Sequence, residues 1–153
     1  MRVVHVSRRF AGTVSEAERC WCDTARWPYW VEGLERVVSV SQDWPQAGAE
    51  VVWQSGPAGR GRVTERVLVH EPLRGLQLEV ADDSIRGRQI VTFETAEEAV
   101  EVGLALEYQL RRRSPVSAAI DLLFIRRAMT DSLDTTVSRF GAELETARRT
   151  RSA

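Results

Sequence analysis

The chain has 153 residues, 43% of them hydrophobic and 28% charged, and its 21 basic residues against 22 acidic ones leave a net charge of −1. This is the composition of one globular domain with enough apolar material to fold without disulfides, and it excludes a mainly disordered chain. The near-neutral balance argues against a nucleic-acid binder, which carries a basic excess; that every basic residue is arginine reads as the mark of a GC-rich coding genome. No apolar run nears the roughly 20 residues that span a bilayer. Met1 to His5 lack the shape of a signal peptide, so a cytoplasmic protein without stable membrane insertion is expected.

Along the chain, valine-rich Arg2 to Phe10, closed by Ala11-Gly12, predicts a strand. Thr13 or Ser15 then caps a helix, each with a glutamate three residues on (Glu16, Glu18), which is the spacing of a capping box. That helix should end near Asp23. A second helical turn follows over Ala25 to Trp30, with Pro28 in its first turn and Gly33 as its stop. From Leu34 to Leu110 the texture is strands and turns, and we place strands at 34–42, 48–55, 60–71, 74–82, 85–95 and 98–111. Their connections are too short for parallel crossovers, so the pairing is antiparallel. Gly56 to Gly61 has no Lys-Ser/Thr and opens no helix, so it is a hairpin turn and not a phosphate loop.

The last strand alternates strictly: Val100, Val102, Leu104, Leu106, Tyr108 and Leu110 fall on one face, with polar or small residues on the other. It is long enough to need a bend, and Gly103 is the natural place. Ser114-Pro115 then starts a helix that runs to about Arg148, with an apolar stripe of Ala118, Leu122, Ile125, Met129, Leu133, Thr136, Phe140 and Leu144. Sheet and helix each offer one apolar face, and laying the helix across the concave side of the sheet buries both. The domain covers 1–149, leaving 150–153 as a disordered tail.

This element order, with three short pieces of sequence, resembles the START-like (SRPBCC) superfamily, and within it the polyketide cyclase/dehydrase and lipid-transport group. Asp23-Thr24-Ala25-Arg26-Trp27-Pro28-Tyr29-Trp30 is similar to the family's Asp and Trp-Pro-x-Trp after the first helix. Gly61-Arg62-Val63 with Glu65 resembles its central hairpin strand, and Pro115 to Leu144, with Arg126-Arg127, resembles its final helix. The chain departs from the family at Thr13, where a proline is common, and at Glu18, where an aromatic residue is common. The resemblance implies an α+β helix-grip fold: a curved seven-stranded antiparallel sheet wrapped around a long C-terminal helix, with two short helices after the first strand. It also implies a cavity between them and a small hydrophobic ligand, aromatic or lipid-like.

Strand parity nominates the residues that would line such a cavity. Glu65 shares its face with Val63, Val67 and Val69, where a carboxyl is desolvated unless paired and its pKa rises. It is a candidate general acid or base, a ligand contact, or half of a buried ion pair with an inward Arg36. Gln89 and Tyr108 stand among apolar neighbours, near Phe93 and Leu106, and could orient a ligand or be satisfied internally. Trp53 and Trp30, the latter at the cavity mouth by analogy, could stack on a flat ligand or fill the core. Ile125 and Met129 are the nominated helix walls. Leu123, Phe124 and Val116 lie off the main stripe and suggest a second contact, such as a homodimer.

No cofactor is implied. Cys20 and Cys22 form a C-x-C without a second pair, His5 and His70 lie in separate segments, and no G-x-S-x-G elbow is present, so neither a metal nor a serine-hydrolase site is expected. Three functions remain open: ligand binding, cyclisation or dehydration of a polyketide-like chain with Glu65 or Tyr108 as catalytic groups, and a partner-binding module of the stress-response or coenzyme-Q-chaperone kind.

Overall fold

Alternating valines produce the first strand, β1 (Arg2–Ala11), and Gly12, at φ 139°, turns the chain out of it. The capping box forms at Thr13: its Oγ accepts from Glu16 N (3.1 Å), and its own N–H donates to the Glu16 carboxylate (3.0 Å). It starts α1 (Val14–Cys22), which a 3-10 turn follows over Thr24–Tyr29. In the computed structural model, residues 2–57, 59–111 and 118–152 are described, with the side chains of 118–124 and 152 excluded.

Six further strands follow: β2 (Leu34–Val40), β3 (Glu50–Ser55), β4 (Arg62–Glu71), β5 (Gly75–Ala81), β6 (Ile85–Ala96) and β7 (Ala99–Leu110). They form one antiparallel sheet in the order β1-β7-β6-β5-β4-β3-β2. Each pair from β2 to β7 is a sequence-adjacent hairpin, and β1 joins the far edge in the register Arg2↔Tyr108 to Ala11↔Ala99. The alternation read in β7 is the inner face: Val100, Val102, Leu104, Leu106 and Tyr108 are all buried. Gly103 owes its identity to packing, since a Cβ there would lie 2.5 Å from Thr92 Oγ.

Two irregularities defeat simple parity. In β2 the register shifts between Leu34 and Arg36 and again between Val37 and Ser39. The first shift puts Arg36 opposite Gln54 on the outer face and turns Val37 inward, opposite Trp53; the second brings Val40 back to the inner face, opposite Val51, where the open sheet edge leaves it exposed. The expected inward Arg36 is therefore corrected: it cannot be the partner of Glu65. A similar shift between Val67 and Val69 of β4 turns Val69 out to solvent.

The C-terminal helix α2 (Ala118–Ser152) is 35 residues long and continues through 150–152, where a tail was expected. Its predicted start at Ser114-Pro115 and Val116 lies outside the described residues, as do the side chains of Leu123 and Phe124. Leu133, Thr136, Val137, Phe140 and Leu144 are its buried stripe. The helix passes close to β1: Arg8 donates to Asp134 (2.8 Å) and to Ser138 Oγ (3.5 Å), and the Phe10 ring occupies the space where Gly141 has no side chain.

Candidate functional site

The space between the sheet and the C-terminal half of α2 is filled by rings. Trp21 packs on Trp30 (4.6 Å between centroids) and Phe140 (5.0 Å), Trp30 on Phe140 (5.1 Å), and Trp21 meets Phe93 edge-on (6.3 Å). Trp27 donates its indole N–H to Trp21 O (2.7 Å) and Trp44 donates to Cys22 O (2.9 Å), which ties the Trp-Pro-x-Trp segment to α1. Trp30 is only 1% exposed. Trp30, expected at the cavity mouth, is instead covered by Trp21 of α1 and by Phe140.

Beside this cluster remains a cavity of about 40 Å³, enough for one or two water-sized groups. Its walls come from four sources: the Trp-rich segment (Trp21, Trp27, Trp30), the loop after it (Val31, Glu32), the sheet (Trp53, Glu65, Val80, Gln89, Leu104) and α2 (Ser132, Leu133, Thr136). Arg60, from the β3–β4 hairpin, completes it. Of the nominated residues, the structure brings together Trp30, Trp53, Glu65 and Gln89 on these walls. Phe93, Leu106 and Tyr108 are buried on the same sheet face but do not line this cavity, and Ile125 and Met129 are half-buried against the core.

Glu65 is the chemical centre. It stands between Val51 and Val80 in register, 5% exposed, and its Oε2 accepts the Trp53 indole N–H at 2.6 Å. Gln89 Nε2 donates to its Oε1 at 3.4 Å. Burial pushes the Glu65 carboxyl above its ordinary value, against the opposing pull of the Trp53 N–H, the Arg60 charge and Gln89. The group is therefore biased toward the neutral acid, a form that can donate a proton or a hydrogen bond.

Arg60 was legible only as part of a turn, yet it is a site residue. Ser55 Oγ accepts from Gly61 N (2.8 Å) and fixes the hairpin tip, and the guanidinium then reaches over Trp53, 5.4 Å from the ring centroid. Its Nε donates to Asp82 Oδ2 at 2.6 Å. Asp82 is itself buried, and its other oxygen accepts from Ser84 N (2.7 Å) and Ile85 N (2.9 Å). Glu32 ties the wall to the helix: its N–H donates to Thr136 Oγ (3.0 Å) and its carboxylate accepts from Ser132 Oγ (2.7 Å). Trp30 Nε1, Arg60 Nη2 and the Tyr108 hydroxyl are buried donors with no partner among the described residues. Also among these residues, no three His, Cys, Asp or Glu side chains converge as metal ligands, and no helix is long and apolar enough to cross a membrane.

A long helix laid on a curved seven-stranded antiparallel sheet, with two short helical segments between the first strands, defines a protein of the helix-grip fold. The chain belongs to the family described as polyketide cyclase / dehydrase and lipid transport, whose sequence model matches residues 1–145. Among solved structures it is similar to a protein from Thermus thermophilus (TM-score 0.74, 18% identity, covering 95% of this chain and 99% of that one). It is also similar to a START superfamily protein from Mycobacterium smegmatis (TM-score 0.72, 10% identity, 94% and 97% covered). A third likeness is to truncated norcoclaurine synthase from Thalictrum flavum (TM-score 0.67, 10% identity, 92% and 91% covered). At such identities the likeness is one of fold. No curated protein matches the sequence significantly.

Proposed function

We propose that the protein binds a small hydrophobic molecule against the inner face of the sheet, beneath α2. The observation that carries this reading is Tyr108: its side chain is 1% exposed, on the apolar face of β7, and its hydroxyl has no partner among the described residues. Folded proteins rarely bury a polar group without satisfying it, since doing so costs about 1–3 kcal/mol. A ligand group that meets this hydroxyl accounts for its retention.

The helix geometry supports the same reading. Arg8 of β1 meets Asp134 and Ser138, and Phe10 meets Gly141, so lower helix numbers go with the start of β1, which pairs with Tyr108. Ile125 and Met129 therefore lie toward the Tyr108 end, and both stay half-buried although they face the sheet. Family membership favours a hydrophobic ligand as well. Native mass spectrometry of the protein purified from its source should show a retained small molecule, and Tyr108→Phe should lower its occupancy while leaving the fold intact. Ligand-free protein from repeated preparations, with no uptake of added apolar probes, would refute the reading.

A second reading, cyclisation or dehydration of a polyketide-like substrate, is favoured by one observation: a buried carboxyl at Glu65, whose pKa burial raises. Such a group is suited to proton transfer in a dry pocket. Glu65→Gln should then abolish turnover while ligand uptake persists; loss of uptake alone would make Glu65 a binding group.

A further inference from the structure

We propose that the cavity between Trp30, Arg60 and Glu65 is a receptor for an uncharged carbonyl oxygen, so that the ligand is a ketone, ester or amide with an otherwise apolar skeleton. The inference rests on the ligand-binding reading above and adds the polar group by which the ligand is oriented.

The argument is one of unspent donors. Most polar side chains of the cavity wall are engaged: Trp53 and Gln89 on Glu65, Ser132 and Thr136 on Glu32, and Trp27 on Trp21 O. Trp30 Nε1 and Arg60 Nη2 are buried, line the same cavity and have no acceptor among the described residues. Two buried, unpartnered nitrogens on residues that line 40 Å³ of space call for an acceptor about the size of one oxygen and its carbon. The remainder of the ligand is too large to follow and must lie outside this cavity.

Charge decides which acceptor. The positive charge of Arg60 is already matched by Asp82, at 2.6 Å and with its side chain 1% exposed. A ligand carboxylate would bring a further negative group into a buried site whose one cation is taken, an arrangement that costs far more than it gains. A carbonyl oxygen accepts from both donors and adds no charge.

Three matched probes test this on the full chain: 2-ethylnaphthalene, 2-acetylnaphthalene and 2-naphthoate, with affinities from calorimetry and the indole N–H signals of 15N-labelled protein. The ketone should bind about tenfold or more tighter than the hydrocarbon, the size expected when an acceptor meets buried unpaired donors, and naphthoate should bind more weakly than the ketone. The Trp30 indole signal, assigned by its loss in Trp30→Phe, should move on ketone binding, while those of Trp27 and Trp44, bonded to backbone carbonyls, stay. Arg60→Met, which keeps the stem, should erase most of the ketone's advantage; if that variant does not fold, the probe comparison on the unaltered protein decides. Equal binding of hydrocarbon and ketone, or an unmoved Trp30 signal, overturns the inference and leaves the ligand-binding reading standing. Tightest binding by naphthoate overturns it in favour of an anion site. Failure of all three to bind overturns the inference and leaves the ligand-binding reading to native mass spectrometry.

Discussion

Replacing Glu65 by glutamine probes the site through stability alone, before any ligand is known. Glutamine keeps an oxygen to accept the Trp53 indole N–H, now 2.6 Å from the carboxylate, and removes the ionisation. Burial raises the folded-state pKa of Glu65 above its unfolded value of about 4.5. For an acid shifted in that direction, the folded state holds a proton that the unfolded chain has released. The stabilisation is complete below the unfolded pKa and is lost as pH rises through the folded one. Between the two the slope approaches −1.4 kcal/mol per pH unit, one proton's worth. Urea titrations of the wild type and Glu65→Gln from pH 4 to 9, read by circular dichroism, give the difference directly, because the other titrating groups cancel. The wild type should lose stability relative to the variant as pH rises above about 4.5 and then level off. A difference that is flat, or that grows in favour of the wild type, would refute the claim that desolvation outweighs the Trp53, Arg60 and Gln89 contacts.

Two further outcomes follow from the packing. Gly141→Ala in α2 should destabilise: alanine gains about 1 kcal/mol of helix propensity, but its Cβ would overlap the Phe10 ring, 2.6 Å from Cδ1 and 2.9 Å from Cζ. Overpacking costs about 1–3 kcal/mol, so a net loss of about 1 kcal/mol in denaturant titration is expected, and a gain would show that the ring moves freely. The thiols of Cys20 and Cys22, pushed up to about 12 mainly by burial, should react with iodoacetamide at pH 8 far more slowly than a free cysteine. Mass-shift analysis would follow this, and labelling at the free-thiol rate would contradict the burial.

Much of the scaffold was legible because its signals are local. The Thr13 capping box, the strict alternation of β7 and the short turns between strands each follow from spacing within a few residues, and together they specify a meander ending in a helix. Glu65 was legible too, since a carboxyl in a row of valines stands out against its own strand. What parity could not supply was any register shift: the first of the two in β2 moved Arg36 outward, and nothing in Leu34 to Val40 marks either. Arg60 was missed because hairpin residues have no face to read until the hairpin folds. Its role depends on Asp82, 22 residues away, whose burial in turn depends on the backbone N–H groups of Ser84 and Ile85. The near-closure of the hollow was equally hidden, because the rings that fill it, from Trp21, Trp30, Phe93 and Phe140, come from four separate elements.

The pairing of β1 with β7 also sets an order of events on the ribosome. Residues 34 to 110 can zip up as successive hairpins while the chain is still being made, but Arg2 must wait for Tyr108, and Phe10 for Gly141. The first strand of the sheet to be made therefore stays unmatched while the other six are synthesised. Its valines stay exposed until the last hairpin and the helix emerge to cover them, so this segment is where a nascent-chain chaperone would have the longest opportunity to act.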